Sequence, residues 1–465
     1  MPDTTLLKPF PAPMPLKKIL GPSFIILALG LGSGEVILWP LLSANYGLGI
    51  AWGALLGITF QFFINMEIER YALVKGESVF VGVNKIFPWA AWWFVASTFI
   101  GFGLPGIVAA SAHVFAFILG IENFKWLAIL FLLIIGLILS AGKTVYGTME
   151  KITKTIIVTG IPFIIVLVAL LSTGVDWAAL GSGLLGIGDG YHFLPAGISL
   201  ATFLAAFAYS GAGGNLNLTQ SIYIKEKGYG MGAYSQKIAG LFKNVSQRQK
   251  VKLAGEDFAL TPDNIKNFKA WWKVVNLEHL LVFWLVGLVS IAMLMVLAHA
   301  TTFGLIGNAE GISFVINEGV AIGEKLFPAL GMLFLLVVAV MLFQTQLGVL
   351  DSTSRIMAEN VAIKKIHQNK EINLSKIYFS FVWAQIVFGI TLFLFNITEP
   401  KFLIVLGAVI NALTMFVHIG LVNWTNYKLL AKPFQPHLLR RLILAVIFVF
   451  FGLFSTITVW DLLFK

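Results

Sequence analysis

Residues 27–40 read LALGLGSGEVILWP, and the rest of the chain is organised around them. They lie inside an apolar run long enough to cross a bilayer, with Gly30, Gly32, Ser33, Gly34 and a single acid, Glu35, at its centre. A lipid-exposed helix does not carry a glycine cluster and a carboxylate at mid-membrane, because unpaired backbone groups and ionised side chains there each cost several kcal/mol. An interruption is tolerated where it lines a cavity, since two half-helices then leave free N–H and C=O groups facing a ligand. The stretch predicts a helix unwound at its middle, at the binding site of a transporter.

Composition sets the surroundings of that helix. The 465 residues are 58% hydrophobic and 12% charged, and the mean hydropathy is +0.88. Repeated apolar runs of about 20 residues read as transmembrane helices. The formal charge of +10 is distributed between the runs, as the positive-inside rule expects, and not as a basic, aromatic-interleaved groove, so no nucleic-acid partner is implied. The chain has no cysteine, which excludes disulfides, thiolate metal sites and cysteine nucleophiles. The N-terminus, MPDTTLLKPFPAPMPLKK, is polar, proline-rich and without a cleavable signal pattern, and reads as a short cytoplasmic tail. No phosphate loop, zinc motif or nucleophile elbow is present, so neither an enzyme nor an ATP-driven pump is expected, no cofactor is called for, and an ion gradient is the remaining energy source.

Eleven spans are predicted, at residues 20–45, 50–74, 88–119 (kinked by Pro105), 126–140, 151–172, 197–224, 274–298, 328–350 (helical to about 359), 377–395, 402–427 and 442–460. Alternation places Lys17, Lys18, Arg70, Lys75, Lys143, Lys364, Lys365, Lys428, Arg440 and Arg441 on one side and Glu122, Asp176, Asp189, Glu310, Glu318 and Glu399 on the other. The N-terminus is then cytoplasmic and the C-terminus extracellular or periplasmic, in a plasma (inner) membrane. The domain reading is a tail at 1–19, a first repeat at 20–174, an outer loop at 175–196, a second repeat at 197–427 with a basic cytoplasmic insertion at 225–273, and a final loop and helix at 428–465. Residues 236–252 alternate apolar and basic types and suit either an anionic membrane surface or a solvated linker. Residues 76–87 read as a short interfacial helix, and 176–195 as a glycine-rich loop closing over span six.

Span six carries the second interruption, Tyr209-Ser210-Gly211-Ala212-Gly213-Gly214-Asn215. It lies five spans after the first, and an odd offset makes the two helices antiparallel. Matching breaks in two halves are the sequence sign of an inverted-repeat transporter with its substrate between them. The alternative is that the glycines only allow close helix packing. The polar residues beside them, Ser33, Glu35, Tyr209, Ser210, Asn215 and Asn217, are not required for packing.

Several stretches resemble the Nramp family of divalent metal transporters, in the amino acid–polyamine–organocation superfamily. They are GPSFIILALG at 21–30, GITFQFFINMEIERYALVKGES at 57–78, VYGTMEKI with Glu150, and DWAALGSGLLG at 176–186. The likeness is mainly in spans one to six. It implies an all-α membrane protein of LeuT type, with a five-plus-five inverted repeat, helices 1 and 6 discontinuous and an eleventh helix added, and ion-coupled uptake of divalent metals. The family's ligand motifs are not retained. Its Asp-Pro-Gly-Asn falls on Gly32-Ser33-Gly34-Glu35, its Met-Pro-His on Gly213-Gly214-Asn215, its acidic pair of span three on Leu104 and Ile107, and its polar ligand of span ten near Ala408. Loss of the thioether removes the soft ligand that favours transition metals.

Three functional readings are open. In the first, Glu35, Ser33 and freed carbonyls form an all-oxygen site for a hard cation such as Mg²⁺, with Glu35 as the metal ligand. In the second, Gly32-Ser33-Gly34, similar to the Gly-Ser-Gly of amino-acid transporters in the superfamily, holds the carboxylate of a small organic solute. The third is a non-transporting membrane sensor. Expected binding residues are Gly32, Ser33, Gly34, Glu35, Tyr209, Ser210, Gly211, Gly213, Asn215 and Asn411, with Thr414 in reach, and Glu35, His113 and Glu67 are candidates for carrying a coupling proton. Each has a plainer reading: a protonated Glu35 bonded to a neighbouring helix, packing roles for His113 and His418, and local pairing of Glu67, Glu69 and Arg70. Gln344, Gln346 and Asp351 are expected along an inward path. The partners implied are a small-molecule or ion substrate and the lipid bilayer, with a monomer as the expected state.

Overall fold

The structure, a computed structural model, describes residues 7–15, 19, 21–141, 145–236, 252–305, 307–308, 311–366 and 372–464. The lipid-surface reading of 236–252 falls almost wholly outside the described residues. Lys17, Lys18, Lys143, Glu310 and the side chain of Glu150 fall outside them too.

Among the described residues nine helices are long and apolar enough to cross a membrane. They are Pro22–Tyr46, Leu48–Lys75, Ala90–Leu119, Lys154–Leu171, Pro262–Thr302, Pro328–Ile366, Leu374–Leu394, Pro400–Leu429 and Leu438–Trp460. The shorter apolar helix Phe124–Ser140 and an interrupted pair, Leu200–Ala208 and Thr219–Lys227, occupy the places of spans four and six. This is an integral membrane protein. Its spans start where side chains replace the missing helical acceptors. Ser199 accepts from Thr202 N, Thr261 from Asn264 N ahead of Pro262, Asn373 from Lys376 N, and Glu399 from Lys401 N and Phe402 N around Pro400. Such caps are worth about 1 kcal/mol each, and proline at the first helical position sacrifices no bond. Pro105 breaks span three as expected, between Ala90–Gly103 and Gly106–Leu119.

Spans one, six and eight form the centre. Every residue in the most apolar window of span one is buried, whereas fewer than a third are buried in those of spans five and eleven. On span eleven, Leu439, Leu442, Val446, Val449, Leu453, Ile457 and Trp460 form an exposed stripe at helical spacing, the face such a helix turns to lipid.

Three local expectations are corrected. Span seven begins at Pro262 and runs to Thr302 with a π-helical turn at Leu280–Leu285. Its first three turns, expected within the basic insertion, are amphipathic and bury Phe268 and Trp271. The short helix Val79–Ile86 is not interfacial, because Val79 to Asn84 are all buried; its apolar residues pack inward on spans eight and ten. The segment expected as a loop after span five forms a helix, Gly174–Gly183, and a hairpin pairing Ile187 with His192 and Gly188 with Tyr191.

That helix is held by a capping box in which Asp176 accepts from Thr173 N at 2.7 Å. Its other carboxyl oxygen lies 2.7 Å from His299 Nδ1. Burial pushes the Asp176 carboxyl up, but the Thr173 N–H, His299 and the Thr173 hydroxyl outweigh it and hold the group below its ordinary value. Stability from a depressed carboxyl is complete at neutral pH and is lost as pH falls through the folded-state value. Asp176→Asn is therefore expected to cost about 1 kcal/mol at neutral pH and to lose that difference only as pH falls below the ordinary carboxyl range, read by thermal unfolding.

Candidate functional site

Span one is interrupted less than its sequence suggests. A helix over Pro22–Gly30 ends in a turn at Leu31 and Gly32. It resumes as a wide π-helical turn, Ser33–Leu38, and then as Trp39–Tyr46 with Pro40 in its first turn. The expectation of an unwound segment at 32–35 is corrected to a π-turn, a form that recurs at functional sites. Span six is broken outright. Helix Leu200–Ala208 stops, Tyr209 to Gly213 follow no regular winding, Gly214–Leu218 is a 3₁₀ turn, and Thr219–Lys227 resumes the helix. Gly213 and Gly214, with φ of 69° and 51°, turn the chain through the left-handed region.

The two interruptions touch. A Cβ on Gly30 would come within 2.6 Å of the Gly211 carbonyl carbon, and one on Gly34 would overlap the Tyr209 carbonyl oxygen. Gly32 packs as closely on Thr345 of span eight. The glycines thus both interrupt the helices and let their backbones meet.

Side chains from other spans satisfy the groups that the break in span six frees. Gln61 of span two donates to Ala208 O at 2.9 Å and accepts from Gly213 N at 3.2 Å and from Asn217 Nδ2 at 3.3 Å. His418 Nε2 meets Gly214 O at 3.1 Å. Asn215 Nδ2 donates to Ser97 Oγ and Thr98 Oγ1 of span three at 2.8 and 2.9 Å. Asn411 Nδ2 donates to the Tyr209 hydroxyl and to Gly101 O, both at 2.9 Å, and Trp39 Nε1 donates to Ser210 Oγ at 3.0 Å. What remains is an excess of acceptors: Asn215 Oδ1, Asn217 Oδ1, Asn411 Oδ1 and Gln346 Oε1 are buried without a donor among the described residues, as is Glu35 Oε1 in span one.

A void of about 10 Å³ lies beside the break, lined by Gly101, Leu104, Ile107, Tyr209, Gln346 and Gly407 among others. That is about the room one water needs. A larger cavity of about 700 Å³, reached by His113 and Glu399, is lined by Phe402, Val405, Leu406 and Val409. These residues and the void's Leu403, Ile404 and Gly407 lie on opposite faces of span ten at about 100° per residue, so the helix separates the two spaces.

Of the expected residues, Tyr209, Ser210, Gly211, Gly213, Asn215 and Asn411 gather at the break in span six, with Gly32, Ser33 and Gly34 in the adjoining part of span one. Glu35 is fully buried but turns away, accepting from Ser290 Oγ of span seven and lying near Gly287. His113 faces the large cavity, stacked on Phe124 at 4.7 Å. Glu67 sits at the far end of span two, paired with Arg70 at 2.8 Å and Arg440 at 2.7 Å. The three candidate proton carriers are therefore not together. Asp351 is held by Arg355 at 2.9 Å and Tyr378 at 2.6 Å, whereas Gln346 reaches the void. Thr414 donates to Asn411 O. Gln61, Ser97, Thr98 and Ser290 were not expected at the site. Their signal is a polar side chain inside an apolar span, which marks interior positions. Among the described residues no three His, Cys, Asp or Glu side chains converge as a metal cage.

Solved structures share this arrangement of spans. The manganese transporter of Eremococcus coleocola superposes with a TM-score of 0.72 over 98% of this chain and 90% of its own, at 11% identity. Its complex with an aromatic bis-isothiourea substituted compound gives 0.68, with 98% and 90% covered, at 12% identity. The chain has the LeuT-type fold. Two inverted repeats of five spans, each with its first helix interrupted, are followed by an eleventh span. No family model matches the sequence, and no curated protein matches it.

Proposed function

We propose that this chain is a Nramp-related secondary active transporter that moves a small hard cation across the plasma (inner) membrane by alternating access, with its N-terminus cytoplasmic. The observation that carries this reading is the contact of two interrupted, antiparallel spans beside a water-sized void, with buried oxygen acceptors left over. Acceptors without donors favour a cation or a donor-rich solute, and oxygens without sulfur favour a hard cation. Ser33 and Glu35 are the proposed ligands, with carbonyls of the two breaks. Glu35 reaches them by exchanging its Ser290 bond for the ion as the cycle proceeds. A second reading, a small organic solute, is favoured by one specific feature: in this conformation Glu35 faces span seven, and the polar side chains lining the void are Gln346 and Tyr209.

Thermal unfolding of the purified chain separates the two. Mg²⁺ or Ca²⁺ is expected to raise the midpoint in proportion to binding, and Glu35→Gln to abolish the rise. Stabilisation by amino or organic acids alone would replace the cation with an organic cargo.

A further inference from the structure

A second buried cluster lies where the basic loops emerge, apart from the meeting point of spans one and six. It joins Ser23 of span one, Glu69 of span two, Gln220 of span six, and Glu278 and His279 of span seven, all at most 2% exposed. Ser23 Oγ donates to Glu278 Oε2 at 2.5 Å and lies 2.8 Å from His279 Nδ1. The single hydroxyl proton goes to the carboxylate, so His279 Nδ1–H donates to Ser23 Oγ. The backbone N–H groups of Gly21 and Ser23 also face Glu278. Glu278 thus accepts from Ser23 at the start of the nine-residue helix Pro22–Gly30, where the helix dipole favours an anion.

Glu278 Oε1, like Glu69 Oε2, is buried without a hydrogen-bond partner among the described residues, but Glu278 takes the Ser23 hydroxyl where Glu69 takes an amide. Gln220 Nε2 donates to Glu69 Oε1, and His279 Nδ1 is 3.8 Å from the same oxygen. Charged groups facing the cluster are Arg440 from span eleven and, through Glu67, Arg70 of span two. Three carboxyls, Glu67, Glu69 and Glu278, therefore meet two guanidiniums, which leaves one negative charge uncompensated in a dry interior.

We propose that Glu69 and Glu278 form a one-proton binding site, with the proton on Glu69 Oε2 in this structure, and that it is the coupling-ion site of the transporter. The coupling role rests on the transporter reading; the proton site does not. Release of the proton to water at the basic face leaves two carboxylates side by side and loosens the hold of Glu278 on the start of span one. One ring links the cluster to the break. His279 stacks on Phe283 at 4.6 Å, Phe283 lies in the π-turn Leu280–Leu285, and a Cβ on Gly211 would come within 2.7 Å of its ring.

The test uses the full chain reconstituted in lipid. In pH-difference infrared spectra, Glu69→Gln and Glu278→Gln are each expected to remove one protonated-carboxyl band, and Glu399→Gln at the opposite face to retain it. Ser23→Ala keeps both acids and is expected to shift loss of the band to higher pH. A band unchanged in both glutamine variants, with no shift in Ser23→Ala, overturns the proton site. The chain has no native cysteine, so Ile26→Cys reports on the basic half of span one. Its labelling by a permeant maleimide, taken as a ratio to the rate in the Glu69→Gln background so that the thiol's own ionisation cancels, is expected to rise several-fold through the same titration. Loss of the band without a change in labelling overturns the coupling role alone. Cargo binding, read by thermal shift, is independent of both.

Discussion

Gly34→Ala is expected to abolish transport and to destabilise the purified chain by at least about 3 kcal/mol, at or beyond the upper end of ordinary overpacking. The added methyl meets the Tyr209 carbonyl oxygen, which belongs to backbone and cannot rotate away as a side chain can. Relief requires the interrupted parts of spans one and six to separate, and that contact defines the proposed site. A control isolates this effect from helix propensity. At Gly160 in span five a methyl would meet Met341 Sδ at 3.5 Å, an ordinary contact. Gly160→Ala is therefore expected to leave the unfolding midpoint unchanged or raise it by the helical preference for alanine, up to about 1 kcal/mol. Equal midpoints for Gly34→Ala and wild type would show that the two backbones do not meet.

Gln61→Leu is expected to have the second largest effect. The substitution keeps most of the side-chain volume and strands three buried groups, Ala208 O, Gly213 N and Asn217 Nδ2. An orphaned buried polar group costs about 1–3 kcal/mol, so a total of roughly 3 kcal/mol or more is expected in thermal unfolding, with faster hydrogen exchange at the Gly213 amide. An unchanged midpoint with normal exchange would mean that the break is held by something other than span two.

Much of this was legible in the chain because the bilayer makes polar interruptions costly. The break at 209–215 stands out for that reason, and its tyrosine, asparagine and glycines lie where the pattern put them. The winding of span one was not legible. A π-turn adds a residue to one turn, and each added residue rotates the remainder of the helix by about 100°, so helical periodicity could not tell which neighbour Glu35 faces. The start of span seven was hidden by its amphipathic character. Low hydropathy over residues 262–273 reads as loop, yet Phe268 and Trp271 are buried. The cluster around Glu278 was hidden by distance along the chain, since Ser23 and Glu278 are 255 residues apart. Close pairs such as Glu67 and Arg70 were anticipated because helical spacing alone brings them together.

Accessibility of the meeting point of spans one and six tests the central claim most directly. In the naturally cysteine-free chain, Ser33→Cys can be probed with a small impermeant thiosulfonate in right-side-out and inside-out vesicles. The thiol is expected to be modified from each side in turn, with cargo slowing the reaction. Modification from one side only, or from neither side in protein that is folded, would contradict that claim.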